Sequence, residues 1–374
     1  MSKLLSGWKF ELLDNLAIRG SGHTPSKSVK EYWNGGIKWI SLADSSKLDK
    51  GLIFETDKKI SELGIKNSSA VLHSEGTVVL SRDAGVGKSA IMAESMAVSQ
   101  HFITWTCDDI KLNNWFLYYT LQNRKREFET QAVGSTIKTI GLPYFKKLKI
   151  KCPPINEQRK IAETLSTWDN AIQATESLIT NSQQQKKALM QMLLSGEKRV
   201  GGFSEEWIQA KLQELAKISK GAQLNKDTLA EIGMYPVING GIDPSGYTDK
   251  FNSVKDTITI SEGGNSCGYI AFQKQDFWCG GHCYTLNDVK IDVSFLYQLL
   301  KANEESIMRL RVGSGLPNIQ KKSLENFVLR YPQNKEEQQK IAEILTAADQ
   351  EIETLQQKLE CLKLEKQALM QRLL

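Results

Sequence analysis

Residues 157–194 and 337–374 are two versions of one segment. The first reads EQRKIAETLSTWDNAIQATESLITNSQQQKKALMQMLL and the second EQQKIAEILTAADQEIETLQQKLECLKLEKQALMQRLL. They align without a gap, with about 16 of 38 positions identical. A repeat this long, in segments of helical period, requires two equivalent modules and argues against a single enzyme core. The correspondence extends outward. Trp8, Leu13, Leu16, Ala17 and Gly22 run in parallel with Trp207, Leu212, Leu215, Ala216 and Gly221. Thr77–Ser81 matches Thr257–Ser261, Gln100–Thr104 matches Gly281–Thr285, and Gly134-Ser135 through Pro153 matches Gly313-Ser314 through Pro332. Between these anchors the halves differ almost everywhere. A shared framework with divergent filling is what one fold serving two different ligands looks like; drift without purpose would have eroded the framework as well.

Each repeated segment reads as a long helix. Proline precedes both, at Pro153-Pro154 and Pro332, where it permits a first turn but discourages helix before it. Asn156 and Asn334 are the expected N-caps, with Glu337 placed as a capping-box partner. Ser195-Gly196 is the expected stop of the first helix. A stripe of 4-3 spacing marks the packing face, the coiled-coil period. It runs through Ile161, Leu165, Trp168, Ile172, Thr175, Ile179, Ser182, Lys186, Leu189 and Leu193 in one helix. In the other it runs through Ile341, Leu345, Ala348, Ile352, Leu355, Leu359, Leu362, Lys366, Leu369 and Leu373. The polar breaks at Thr175, Ser182, Lys186 and Lys366 make each stripe too weak to stand alone. The nearest partner is the other helix of the same chain, in antiparallel pairing; parallel homodimerisation is the rival. Trp168 opposite a small residue such as Ala348 would suit such packing. A helix of this length is a rod of ~57 Å.

The expected fold class is α+β, with two similar globular domains joined and separated by the two long helices. The corresponding boundaries are 1–152, 153–197, 198–332 and 333–374. Within the modules, strand-like runs lie at Ile37–Leu42, Thr77–Leu80, Ala90–Met92 and Phe102–Trp105, followed by a helical run over Trp115–Phe128. The second module repeats the order with Thr257–Ile260, Tyr269–Phe272, Tyr284–Leu286 and a helix over Val293–Ala302. The loops between them are where the halves diverge, and loops carry recognition.

Charge separates the halves. Residues 1–152 hold about 22 Lys and Arg against about 15 Asp and Glu, whereas 200–333 hold about 14 against about 15. The first module is basic enough for a polyanion. The second needs only a local basic strip to do the same. No apolar run approaches a membrane span. The apolar part of the N-terminal MSKLLSGWKFELL is too short for a signal peptide, and six irregularly spaced cysteines do not form a disulfide framework. The cytoplasm is the expected compartment.

Two stretches imitate catalytic sites. Asp83–Ser89 resembles a phosphate-binding loop, but position 82 is arginine where the motif needs glycine, and Glu262–Gly268 repeats the stretch without Lys-Ser. A strand–loop–strand connection fits better, leaving Arg82 and Lys88 free for phosphate. Cys279, His282 and Cys283, with Cys267, lack the paired spacing of a zinc site, and His101 stands at the equivalent place without cysteines. They read as a structural histidine and buried thiols, with no metal. No Ser/His/Asp order or carboxylate pair recurs in both halves, so no catalytic residue is assigned.

The chain resembles the specificity subunits of type I restriction–modification systems along essentially its whole length. The resemblance rests on the module starts at Trp8…Ala17 and Trp207…Ala216, on Tyr32-Trp33-Asn34-Gly35-Gly36-Ile37-Lys38-Trp39-Ile40, on Pro153 through Ala162, on Lys186 through Met190 and on the Gly-Ser turns. It implies that each module reads one half of a split double-stranded DNA site, with the helices setting the gap. It also implies two docked methyltransferase (modification) subunits that carry S-adenosylmethionine and methylate adenine, and a motor–nuclease restriction subunit that can join. This chain would itself hold no cofactor. Isolated, its docking surfaces would be exposed and it can self-associate. The family gives no recognition residue by motif, so DNA contacts are assigned from polar and basic residues of the divergent or Gly-rich loops. They are Thr24, Lys27, Arg82, Lys88, Ser135 and Lys138 in the first module. In the second they are Gln223, Lys226, Asn239, Asn265, Arg311, Ser314, Asn318 and Lys321. Arg124-Lys125-Arg126 reads as a solvated face or phosphate contact. The rival reading is a coiled-coil adaptor with two protein-binding modules, which predicts no salt-dependent DNA affinity.

Overall fold

A computed structural model describes residues 6–134, 138–313, 315 and 317–374. Four helices organise it: α1 (Asn114–Asn123), α2 (Ile155–Leu194), α3 (Val293–Ala302) and α4 (Lys335–Leu373). The chain divides into two compact units. Unit 1 runs to Thr175 and includes Leu359–Leu374; unit 2 is Glu176–Lys358. The sequence boundaries treat each long helix as a segment of its own. By contact, each is divided between the units: Ile161 and Leu165 enter the core of unit 1 and Leu193 that of unit 2, while Ile341 and Leu345 enter the core of unit 2 and Leu369 and Leu373 pack on that of unit 1.

In unit 1 the central sheet has the strand order Ala17–Ser21, Phe102–Cys107, Val78–Ser81, Ser89–Met92, Leu52–Ile53, antiparallel except for the last pair. Alternation explains why Val78–Ser81 is buried throughout. Val78 and Leu80 face α1 and the start of α2, in a core with Trp105, Phe116, Leu117, Ile161 and Leu165. Val79 faces the other way, with Ile40, Met96, Val98 and Phe102. A second sheet, of Lys58–Ile60, Trp33–Ile40, Met96–Val98 and Leu72–His73, adjoins that face. Unit 2 repeats the central order with Lys217–Lys220, Cys283–Asn287, Thr257–Ser261 and Ile270–Gln273. Ile258, Ile260 and Leu286 pack with Phe295, Leu299 and Ile341, while Cys283 turns to Ile238, Phe277 and Cys279. The buried thiols are thus core residues. Among the described residues no cluster of His, Cys, Asp and Glu suits a metal, and no helix is long and apolar enough to cross a membrane.

Where the expected helices differ from the observed ones, the reason is local. Trp115–Phe128 is not continuous: α1 ends at Asn123 with Arg124 as its C-cap, and a second helix spans Lys125–Gln131. The break lets the Arg124 guanidinium bond both Glu127 carboxylate oxygens (2.8 Å each) and the Lys149 carbonyl (2.5 Å). Asn156 is not a cap, since α2 starts at Ile155 and the Pro154 carbonyl accepts from the amides of Glu157 and Gln158. Asn334 does cap α4, accepting from the Glu336 amide at 2.9 Å. Glu337 does not close a capping box. It is fully buried, and Arg199 grips it with two bonds of 2.6 and 2.7 Å.

The Glu-Gln pair that opens each repeat joins helix to module. Gln158 accepts from the Asn113 amide (2.9 Å) and donates to the Pro153 carbonyl (2.9 Å). Gln338 accepts from the Asp292 amide (2.9 Å) and donates to the Pro332 carbonyl (2.8 Å). Asn113 and Asp292 are in turn the N-caps of α1 and α3. An amide side chain, donor and acceptor at once, suits a buried position between two helix starts.

Within each unit, α2 and α4 run in opposite directions. In unit 1, Ile161 and Leu165 share a core with Leu369 and Leu373, and Trp168 reaches Glu365. Trp168 therefore lies beside the far end of α4, away from Ala348. In unit 2, Leu193 shares a core with Ile341 and Leu345, and Ser182 donates to Glu351 at 3.3 Å. Every stripe position is buried or half-buried, Ile172, Ile352, Leu355, Leu359 and Leu362 included. The polar breaks also have partners. Thr175 turns back to the Ala171 carbonyl (2.7 Å), Lys186 pairs with Asp349 (2.5 Å) and Lys366 pairs with Asp169.

Candidate nucleic-acid interface

Antiparallel order collects the divergent loops at one end of each central sheet. The end of one strand lies beside the start of its neighbour, so Ser21 pairs with Ile103, Ser81 with Phe102 and Leu80 with Ser89. The segments leaving Ser21 and Ser81, and those entering Phe102 and Ser89, therefore emerge together. A fourth segment joins them. Val133 bridges Thr139, and Thr139 bridges Asp83. In unit 2, Val312 bridges Asn318, which bridges Gly263.

Glycine is required where these loops meet. A side chain at Gly22 would overlap the Val98 carbonyl, and one at Gly221 the carbonyls of Cys279 and Gly280. Both glycines stand at the aligned position, so the same close backbone approach holds the first loop to the third in both units.

The structure places the assigned residues in these loops but leaves only some of them free to bind. In unit 1, Lys27 and Lys138 are exposed. Thr24 bonds Gln100 at 2.5 Å, joining the first loop to the third. Lys88 is not free for phosphate: its ammonium donates to the carbonyl and hydroxyl of Ser45 at 3.0 and 3.1 Å. Arg82 is half-buried, with Nε 3.7 Å from Asp83. In unit 2, Gln223, Lys226, Asn265, Arg311 and Asn318 are exposed. Asn239 is half-buried and accepts from the His282 amide at 3.2 Å. Lys321 is exposed, on a short helix, 3.5 Å from Glu325. Ser135 and Ser314 lie outside the described residues. The Arg124–Arg126 triplet is only partly a solvated face, since Arg124 holds Glu127 and Lys125 holds Asp49 (2.6 Å).

Sequence reasoning misses a carboxylate at the foot of each loop cluster. In unit 1, buried Asp83 lies 2.6 Å from His101 Nδ1. In unit 2, Glu262 meets Lys220 (2.6 Å) and the Tyr284 hydroxyl (3.0 Å), with His282 at 3.7 Å. Burial and the Glu262 carboxylate together raise the Tyr284 hydroxyl well above the usual phenol range, so it acts as a donor. One oxygen on each acid, Asp83 Oδ1 and Glu262 Oε2, lacks a hydrogen-bond partner among the described residues. The signal that could find them is the alignment of His101 with His282, each following a strand-end acid. The arrangement is a polar surface: exposed cations and amides above a buried Asp83 that meets His101 and a half-buried Glu262 that meets Lys220. Such groups can take phosphate oxygens and base edges.

The family profile described as the type I restriction modification DNA specificity domain matches the chain twice, over residues 6–181 and 204–364. The chain belongs to this family. A protein named as a type I specificity subunit of Mycoplasma genitalium is 36% identical over 152 residues, 40% of this chain and 39% of that protein. The type I restriction enzyme MjaIX specificity subunit of Methanocaldococcus jannaschii is 27% identical over 196 residues, 52% of this chain and 44% of its own. These matches thus span about two fifths of the length of the curated relatives. In fold, the chain is similar to the crystal structure of the type I restriction–modification S subunit from M. genitalium. The TM-score is 0.72 at 22% identity, covering 99% of this chain and 97% of that one.

Proposed function

We propose that this chain is the sequence-reading subunit of a type I restriction–modification complex. Each unit reads one half of an asymmetric, split DNA site through the loops at the end of its central sheet. The single observation that carries the reading is duplication of the framework without duplication of the loops. Both central sheets have one strand order and gather their loops at the same end, yet Arg82, Lys88 and Lys138 face entirely different residues in the second copy. One framework with two fillings suits one kind of ligand read in two sequences. The paired helices set the gap between half-sites, and carrying both readers on one chain makes the second binding event intramolecular. Half-sites about one helical turn apart, ~34–36 Å, face one side of the duplex.

The chemistry belongs to partners. Two methyltransferase subunits dock on this chain, bring S-adenosylmethionine and methylate adenine in each half-site; a motor–nuclease subunit joins for cleavage. This chain contributes no catalytic residue, and the complex works in the cytoplasm. The test is co-purification with the methyltransferase subunit encoded beside it, followed by base-resolution adenine-methylation mapping of DNA exposed to the complex. One split motif with a fixed gap is the expected result. A stable complex without motif-specific methylation would favour the adaptor reading, and failure to associate would overturn the assignment of partner.

A further inference from the structure

Two lysines break the apolar stripes, and both are answered in the same way. Asp169 and Asp349 stand at matching positions of the repeat, as do Lys186 and Lys366. In unit 1, Asp169 on α2 pairs with Lys366 on α4; in unit 2, Asp349 on α4 pairs with Lys186 on α2. Each aspartate uses its other oxygen to hold its own module. The Tyr119 hydroxyl of α1 donates to Asp169 Oδ2 at 2.7 Å, and the Gln298 amide of α3 donates to Asp349 Oδ2 at 2.8 Å. Tyr119 and Gln298 also occupy matching positions, so a phenol in one half and an amide in the other perform one task. Lys366 lies 5.4 Å from the centroid of the Tyr119 ring, which adds a cation–π contact in unit 1. The ion-pair groups are between 13% and 39% exposed, so solvent screens them only in part.

The structure assigns Asp169–Lys366–Tyr119 and Asp349–Lys186–Gln298 as paired positioning locks that select the antiparallel register of α2 and α4 and seat each module on that register. Apolar stripes of 4-3 spacing discriminate poorly against a slip of one heptad, since an apolar side chain replaces an apolar one at most stripe positions. An ion pair within the stripe removes that degeneracy, because a slip of one heptad breaks both pairs and sets each aspartate opposite an aliphatic position, Leu359 or Leu373 for Asp169 and Ile179 or Leu193 for Asp349. The third bond extends the selection from helix to module. A slip of seven residues is a displacement of ~10 Å. At ~3.4 Å per base pair this is about three base pairs of DNA. The inference rests on the reading of the chain as a two-site DNA reader, because the gap it sets is the gap between half-sites.

The test separates register from stability. In Asp169→Leu/Lys366→Met combined with Asp349→Leu/Lys186→Met, the stripes become continuous. This variant is expected to melt no lower than the parent chain, yet its complex with the methyltransferase is expected to methylate sites whose gap differs by one to three base pairs from the native gap. The fraction at the native gap is expected to fall by about tenfold, the scale of ~1.4 kcal/mol of lost discrimination. In the charge-exchanged variant Asp349→Lys/Lys186→Asp the native gap is expected to return, whereas Asp349→Lys alone loses it. A continuous-stripe variant confined to the native gap overturns the assignment, as does a charge exchange no better than the single reversal. A variant that only loses melting temperature, with gap preference intact, assigns the pairs a purely structural role and also overturns it. Register is read without DNA from spin labels at exposed positions 167 and 367 of the full chain. One narrow distance in the parent and several in the continuous-stripe variant support the locks; one unchanged distance in both refutes them. Absence of methylation by the parent complex would instead refute the functional reading, and the spin-label result would stand alone.

Discussion

The two units answer one problem with different chemistry at the starts of α2 and α4. In unit 2, Glu337 is fully buried and held by the two-pronged guanidinium of Arg199, which also lies 5.9 Å from the Trp207 ring. In unit 1 the matching Glu157 is half-buried and takes a bond of 3.0 Å from the Trp8 indole. The tryptophans match, the glutamates match, and among the described residues the cation is found in the second copy. A buried carboxylate demands a charged partner, whereas a half-buried one is satisfied by a neutral donor and water. Repeated residues therefore preserve a geometry, while the depth at which each copy is buried decides what must pair with it.

The largest expected effect breaks this asymmetry directly. Arg199→Ala leaves the Glu337 carboxylate buried without its cation and is expected to destabilise unit 2 by about 4 kcal/mol. Trp8→Phe removes one bond to a half-buried acid and is expected to destabilise unit 1 by about 1 kcal/mol. Denaturant unfolding of the two variants measures both; equal losses would mean that depth of burial does not decide which glutamate needs a cation. Next in size, Leu165→Ala and Leu345→Ala probe what the units share. Both leucines are fully buried at matching positions of the repeat, and each substitution is expected to cost about 3 kcal/mol. A difference well above 1 kcal/mol between them would show that the cores are not equivalent.

A smaller effect sharpens the reading surface. Lys138→Ala is expected to lower DNA affinity and reduce the salt slope by about one unit. Lys88→Ala is expected to leave the slope unchanged, because its ammonium is already committed to Ser45. DNA titration across salt concentrations distinguishes them, and a slope that falls only for Lys88→Ala would reverse the assignment. The smallest effect is one of pH and belongs to unit 1. Burial lowers the pKa of His73 below the usual histidine value, only partly offset by its backbone bond to Ser21. The unfolded chain then binds the proton more readily, so the contribution of His73 to stability is present above pH ~6.5 and is lost as pH falls through the folded-state value. His73→Gln should flatten the fall in stability of unit 1 between neutral pH and pH 5; an unchanged pH profile would assign that fall to other groups.

Much of the framework is legible because it repeats. Period 3.5 in a duplicated segment locates both long helices and their packing faces, and the run Thr77–Ser81 with its match at Thr257–Ser261 marks the central strands. The second sheet of unit 1 is only partly legible. Its strands Lys58–Ile60 and Leu72–His73 are short and lie at the sheet edges, where the apolar alternation is too brief to register. Candidate contacts are legible as loop residues but not as free ones. Nothing in the sequence near Lys88 indicates that Ser45, more than 40 residues earlier, captures its ammonium. Asp83 and Glu262 escape a sequence reading for the converse reason, since an acid among expected DNA contacts has no role until the histidine or lysine that it meets is known.

The sequence by itself determined that the chain is two copies of one module with one long helix each, because periodicity and repetition are properties of the linear order. It also determined that the helices need partners, since four polar residues interrupt their stripes. Tertiary structure decided which polar residue meets which. Lys186 finds Asp349 and Lys366 finds Asp169 only in the antiparallel arrangement, and a 4-3 stripe discriminates poorly between heptad registers. Specific pairing is fixed by charges and hydrogen bonds that short range makes unforgiving, and those depend on distances in space that the spacing along the chain leaves open.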